Sequence, residues 1–278
     1  MYGNAILKGF QISPFQGELN MSKVFLALID GMRPDSLTAC NHPFFQELKK
    51  TSLCSMNMRS VMPSVTLPCH MSLFHSVCAE RHGILTNTYV PQVREIKGLC
   101  EVLSGAGKFC SFFYSWENLR DLARPRSLAS ACYFGGQHYT YQEADRRLTE
   151  EAYKMLQGEN PSDFIFFYQC QVDEMGHKYS WMSEEYLQAV NNSLDNVQRL
   201  AEILPEDYAL IVTADHGGHD RSHGSEMEED MAIPVFIRHS SIAPGQLPDN
   251  TSIIDIAPTI THLMEVPSDP DWEGRSLL

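Results

Sequence analysis

Three short apolar runs, each leading to an aspartate, constrain this chain more than any other feature. Val24 to Ile29 (VFLALI) runs directly into Asp30. Tyr208 to Thr213 (YALIVT) is followed by Ala214, Asp215 and His216, and Phe164 to Tyr168 (FIFFY) is followed a few residues later by Asp173. Runs this short, rich in β-branched and aromatic residues, read as strands covered on both faces. Ile233 to Ile237 follows the same logic, and Phe109 to Tyr114 does so more weakly.

Between these runs the apolar period changes. From Glu184 to Leu204, the residues Leu187, Val190, Leu194, Val197, Ala201 and Leu204 recur at three- and four-residue steps, with Ser183 placed as N-cap. Tyr141 to Leu156 is amphipathic, Pro68 to Val77 opens on a proline suited to a first turn, and Ile256 to Met264 reads as a last helix. Strands alternating with helices predict an α/β fold, a largely parallel central sheet flanked by helices on both faces. In open sheets of this kind, ligands bind beyond the carboxyl ends of the strands. Three separate strands therefore deliver a carboxylate to the same edge.

Each carboxylate alone has a plain reading as a turn former or helix cap. Their neighbours sharpen the pattern. Asp173 and His177, in DEMGH, are four apart, which on a helix puts both on one face. A solvent-exposed turn would look the same, and Gly176 weakens the helix. TADHGGHDRSHG sets His216, His219 and His223 beside Asp215, although a polar glycine-rich loop facing solvent is the alternative. Imidazole nitrogens with carboxylate oxygens suit zinc or manganese better than calcium. Thr66, in PSVTLPCHMS, stands just before Pro68. A hydroxyl there is ordinarily a cap, but a helix N-terminus also favours an anion, and metal coordination is one way to ionise a threonine.

The formal net charge of -14 disfavours a stable nucleic-acid binder, which needs a basic surface. The same acidity fits an anionic small molecule only if bound cations dominate the site locally. No run is long enough to span a membrane, and the N-terminus lacks the pattern of a signal peptide, so no membrane association is expected. The eight cysteines form no C-x-x-C pair and read as free thiols, which predicts a reducing, cytoplasmic location. Residues 1–22 read as an N-terminal extension without a role and residues 23–278 as one catalytic domain. The glycine-bearing stretch 89–140 reads as a small cap or insertion.

Taken in order, LIDGMRPD, MPSVTLPCHMSLFHSVCAERHGILTN, QVDEMGH, TADHGGHDRSHG with MAIPVFI, and the tail from DIAPTITHLM onward resemble the alkaline phosphatase superfamily. The nucleotide pyrophosphatase/phosphodiesterase branch is the most similar. The resemblance runs from about Lys23 to the C-terminus. It implies an alkaline-phosphatase-like domain with two divalent metal ions, zinc first and manganese as the alternative. It places Asp30, Thr66, Asp215 and His216 on one ion and Asp173, His177 and a third histidine on the other. His223 is favoured as that histidine, because it follows His216 closely as in compact members, with His219 as the alternative. Thr66 would be the nucleophile, forming a phospho-threonine that water then hydrolyses. Asn87, in HGILTN, with backbone N–H groups near Leu67, would hold the phosphoryl oxygens.

The partner implied is a small-molecule phosphate ester, with a nucleotide among the candidates. Two divalent ions balance the three aspartates and a threonine alkoxide to near neutrality. No arginine adjoins Thr66, although Arg59 and Arg81 are candidates to fold in. A monoanionic diester is therefore expected over a dianionic monoester. Phosphomonoesterase and phosphonate hydrolase remain as alternatives on the same core. A sulfatase is disfavoured, because TLPCH lacks the C/S-x-P-x-R context. A phosphoglycerate mutase of the independent type would be longer and use serine. A non-catalytic binding protein is disfavoured because every expected ligand type is present. Oligomeric state is left open.

Overall fold

The computed structural model describes residues 22–278. The extension read over residues 1–22 therefore lies, except for Ser22, outside the described residues. In chain order the elements are β1 (Lys23–Ile29), α1 (Pro34–Cys40), α2 (Pro43–Thr51), β2 (Leu53–Arg59), α3 (Thr66–His75), α4 (Ala79–His82), α5 (Leu99–Gly105), β3 (Cys110–Tyr114), β4 (Ser130–Tyr133), α6 (Gly136–Tyr139), α7 (Tyr141–Leu156), β5 (Phe164–Gln169), α8 (Gln171–Tyr179), α9 (Glu184–Ala201), β6 (Tyr208–Thr213), α10 (Glu228–Met231), β7 (Ala232–Arg238), β8 (Gly245–Gln246) and α11 (Ile256–Leu263). They build a sheet of eight strands in the order β4-β3-β5-β1-β6-β7-β2-β8.

The five strands from β4 to β6 are parallel. β1 lies between β5 and β6, with Leu26 opposite both Phe166 and Ile211. All of β5 and β6 and all of β1 beyond Lys23 are buried, as covered parallel strands require. β7 runs antiparallel to β6, and β2 antiparallel to β7. Two reversals restore the original direction, so β2 ends at the same edge as β1, β5 and β6. That topology carries residues 60–66 to the rim where Asp30, Asp173 and Asp215 emerge.

Helices cover the sheet in two groups. α1, α2, α7, α8 and α9 pack with one another on one side, and α3, α4, α5 and α11 on the other. α9 follows its sequence reading: Ser183 accepts a hydrogen bond from the Tyr186 N–H, and Val190, Leu194 and Val197 are buried. α3 is different, since every one of its ten residues is buried. Phe74 anchors it, with its ring 5.0 Å from that of Phe166 and 5.5 Å from that of Phe112, both edge-on. Such a ring contributes about 1.5–3 kcal/mol from burial alone.

Several boundaries and one strand differ from the sequence reading, among them the end of α9, at Ala201 rather than Leu204. α3 begins at Thr66 rather than Pro68, so Pro68 occupies its third position. The run expected from Phe109 starts at Cys110. β2 has no run of apolar residues, because LCSMNMR is only half-buried, and its pattern hid it. Within the stretch read as a cap, residues 110–114 and 130–133 are strands of the same central sheet, while Trp116 lies at the rim beside the site.

Candidate active site

The rim holds a cleft of about 240 Å³ whose lining includes Asp30, Thr66, Asn87, Asp173, His177 and His223. Thr66 is the first residue of α3, and its hydroxyl caps nothing: the N-cap position is Val65, without a side-chain cap bond. The Thr66 Oγ1 instead stands 3.2 Å from Nε2 of His216. That same nitrogen is 3.4 Å from Asp30 Oδ1 and 3.4 Å from Asp215 Oδ2. Four residues from two strand ends and one helix start thus meet around one point.

The second group adjoins the first. Asp173 and His177 share a face of α8, with His177 Nε2 at 3.5 Å from Asp173 Oδ2. His223 comes in from the loop after β6, its Nε2 at 3.7 Å from Asp173 Oδ1. Its ring stacks on that of His216 at 3.8 Å. Asp173, His177 and His223 can present one ligand atom each within 4.8 Å of one another, and so can Asp30, Asp173 and His216. Asp173 therefore lies between the two groups. His219 is not brought in; its Nδ1 pairs with Asp230 at 2.7 Å.

The histidines are oriented by backbone. Nδ1 of His177 lies 3.0 Å from the Arg221 carbonyl, Nδ1 of His216 2.8 Å from that of Gly217, and Nδ1 of His223 2.8 Å from that of Ser64. A carbonyl only accepts, so each Nδ1 carries the proton and each Nε2 keeps its lone pair for the cleft. The carboxylates show the complementary strain. Asp30 Oδ1, Asp173 Oδ1 and Asp215 Oδ2 are buried without a hydrogen-bond partner. Burial, then Asp215 and Asp173, push Asp30 well above the usual carboxylate range. Burial likewise raises Asp173, against the pull of His216 and His177. Burial acts on Asp215 too, but His216, His70 and the Gly31 N–H outweigh it and hold that carboxyl low. Three crowded acids with orphaned oxygens, faced by imidazole lone pairs, are what a pair of divalent cations would satisfy. The residues fit such ions.

Several neighbours escaped the sequence reading. Tyr168, the last residue of FIFFY, donates its hydroxyl to Asp30 Oδ2. His70 sits 3.4 Å from Asp215 Oδ2 and donates to the Thr66 carbonyl at 2.8 Å. Its spacing of four from Thr66 on one helix was a legible signal. Trp181 donates its indole N–H to the Gly31 carbonyl and sets its ring edge-on to His177. Its place depends on glycine, since a Cβ at Gly218 would come within 2.2 Å of the indole and one at Gly176 within 2.7 Å. The glycines of the His-rich segment make room for a packed wall rather than a mobile loop.

Asn87 reaches the cleft, where its Oδ1 accepts the Leu67 N–H at 2.9 Å. This corrects one expectation: the Leu67 N–H is already used and is not offered to a ligand. It also orients Asn87, leaving its amide Nδ2 as the free donor. Arg59 pairs with Glu228 and Arg81 is exposed; neither lines the cleft.

A model of the type I phosphodiesterase / nucleotide pyrophosphatase family matches residues 24–233. Bis(5'-adenosyl)-triphosphatase ENPP4 of Homo sapiens is 26% identical over 219 residues, covering 70% of this chain and 47% of its own. A 2,3-bisphosphoglycerate-independent phosphoglycerate mutase of Cellvibrio japonicus is 30% identical over 121 residues, covering 42% of this chain and 23% of its own. The chain spans about half the length of the first relative and about a quarter of the second. Among solved structures, the murine ectonucleotide pyrophosphatase/phosphodiesterase 5, in an inactive form with AMP, superposes with a TM-score of 0.75. The identity is 14%, and 90% of this chain and 96% of the other are covered. A 2-O GAG sulfatase superposes with a TM-score of 0.73 at 14% identity, covering 93% of this chain and 73% of the other, a likeness of fold.

Proposed function

The chain belongs to the type I phosphodiesterase / nucleotide pyrophosphatase family, and on that premise we propose that it hydrolyses phosphodiesters with Thr66 as nucleophile. One observation carries the reading: the Thr66 hydroxyl, released from any capping role, points at the convergence of His216, Asp30 and Asp215. Asp30, Thr66, Asp215 and His216 would hold one divalent ion, and Asp173, His177 and His223 the other. Bound there, the ions supply Lewis acidity that lowers the hydroxyl pKa and offsets phosphoryl charge. The nitrogen and oxygen donor set favours zinc, with manganese second.

The chain's own groups do the rest. Thr66 Oγ attacks phosphorus in line, the P–O bond to the leaving alcohol breaks, and a phospho-threonine forms. Water then attacks that phosphorus from the vacated side and restores the hydroxyl. Asn87 Nδ2 donates to a non-bridging oxygen, where charge develops. Tyr168 and His70 hold Asp30 and the first turn of α3 in register.

Diester is favoured over monoester because, among the described residues, no lysine or arginine lines the cleft to meet a second negative charge. Thr66→Ala should lower kcat on a phosphodiester panel by about three orders of magnitude or more while the fold persists. Substantial turnover by that variant would remove Thr66 as nucleophile. Faster cleavage of p-nitrophenyl phosphate than of its bis-ester would reverse the diester preference. Cytoplasmic placement belongs to the same proposal, supported by eight cysteines standing as free thiols. Among the described residues no helix is long and apolar enough to cross a membrane.

A further inference from the structure

One glycine touches all three aspartates of the rim. Gly31 follows Asp30 directly, its N–H donates to Asp215 Oδ1 at 3.2 Å, and its bare Cα lies against Asp173. A Cβ there would meet Asp173 Cα at 3.1 Å and Asp173 Oδ1 at 3.2 Å, and the φ of +70° is one that other residues rarely adopt. The hydrogen bond to Oδ1 leaves Asp215 Oδ2 as the oxygen without a partner, 3.4 Å from His216 Nε2. The conformation of Gly31 therefore decides which oxygen Asp215 presents and how near Asp173 can stand.

That conformation is held from outside. The Gly31 carbonyl accepts two donors, the Tyr186 hydroxyl at 2.9 Å and the Trp181 indole N–H at 2.9 Å. The Tyr186 oxygen in turn accepts the Arg33 N–H at 3.0 Å, so one phenol pins both the Gly31 carbonyl and the amide two residues on. Arg33 closes the circuit by donating from Nη1 to the Gly218 carbonyl at 3.0 Å, on the glycine whose missing Cβ admits Trp181. Tyr186 itself is fully buried on α9 and does not line the cleft. We propose that Tyr186 and Trp181 are positioning residues for both ion sites, acting through the Gly31 backbone. This rests on the two-ion reading and adds what fixes the spacing of the two sites. Losing a partner that orients a ligand from behind ordinarily weakens metal binding on the order of 10–100-fold.

The test compares two tyrosines. Tyr208 also donates a buried hydroxyl to a carbonyl, that of Ser162, at the opposite end of β6 from Asp215. Tyr208→Phe thus loses the same kind of bond away from the rim. Zinc is titrated into the metal-free full chain against a competing chelator. Tyr186→Phe should raise the zinc Kd at least fivefold, and Tyr208→Phe less than twofold. Trp181→Phe keeps an aromatic ring but no N–H; it should match Tyr186→Phe, and it takes that variant's place if Tyr186→Phe does not fold. Cobalt in place of zinc reads the geometry, since its visible absorption bands should shift in Tyr186→Phe and stay in Tyr208→Phe. A smaller rise in Tyr186→Phe, or an equal one in Tyr208→Phe, overturns the proposal. An unsubstituted chain that takes up fewer than two zinc ions ends the two-ion reading and this proposal with it. Two ions bound as tightly by Tyr186→Phe as by the unsubstituted chain leave that reading standing and remove the positioning role.

Discussion

His82 shows at the residue scale how a buried imidazole can be structural. Its Nδ1 accepts the Ile84 N–H at 3.1 Å, and its Nε2 lies 3.0 Å from the Ser72 hydroxyl. Both nitrogens are used by the neutral ring, and burial, with His75 adding to it, pushes its pKa down to about 4. A depressed folded-state pKa means the stabilisation is whole above the unfolded value near 6.5 and is lost as pH falls toward 4. His75 is held down to about 4 in the same way by burial. Urea denaturation should therefore show a loss on the order of 2–3 kcal/mol per histidine between pH 7.5 and pH 4. His82→Gln should flatten part of that slope, and an unchanged slope would refute the assignment. The imidazoles around Asp173 differ in kind, because each spends only Nδ1 on backbone and leaves Nε2 toward the cleft. Sequence spacing singled out His177, His216 and His223 but could not show how their rings are turned, since the carbonyls that orient them, at Arg221, Gly217 and Ser64, belong to remote or irregular backbone.

At the scale of elements, α8 carries Asp173 and His177, and its position is set by a residue outside it. Asp145, on α7, is fully buried and accepts the N–H groups of Cys170, at 3.1 Å, and Gln171, at 3.0 Å, together with the Ser115 hydroxyl. A carboxyl from one helix thus serves the N-terminus of another, and burial still pushes it up to about 7 against those donors. Asp145→Ala strands two N–H donors in the interior and should cost about 2–4 kcal/mol. Chemical denaturation checks the magnitude, and an unperturbed midpoint would show that α8 is held otherwise. The sequence marked Gly176 as a weakness in this helix, yet α8 forms through it because the missing Cβ admits the Trp181 ring. α3 illustrates the converse: Pro68 marked a helix there, but its start was misplaced by two residues because Pro68 was taken for the first position.

For the whole molecule, the net charge of -14 and the crowding of Asp30, Asp173 and Asp215 at the rim leave three buried carboxylates short of positive charge. Divalent ions that bind only the native state stabilise it, by about 2.7 kcal/mol at a hundredfold excess over Kd. For a chain of this size that is a rise in Tm on the order of 5–10 °C. Calorimetry of the chelated protein before and after zinc should record such a rise. It should shrink markedly in Asp30→Asn, and a Tm indifferent to metal would dismiss the two-ion reading. The sheet topology makes the crowding unavoidable: β1, β5 and β6 are adjacent and parallel, so their following residues have nowhere else to go.

Strand ends, helix periods and the order of the motifs were determined locally, by side-chain burial and backbone propensity acting over a few residues. They sufficed for the α/β architecture, for the family, and for the residues that converge at the rim. The register of β1 between β5 and β6 and the double reversal that returns β2 to the same edge were decided only by the folded chain. So were the selection of His223 over His219 at the cleft and the roles of Tyr168, His70 and Asp145. These depend on contacts between segments far apart in sequence, and no local pattern encodes the distance at which two such segments come to rest.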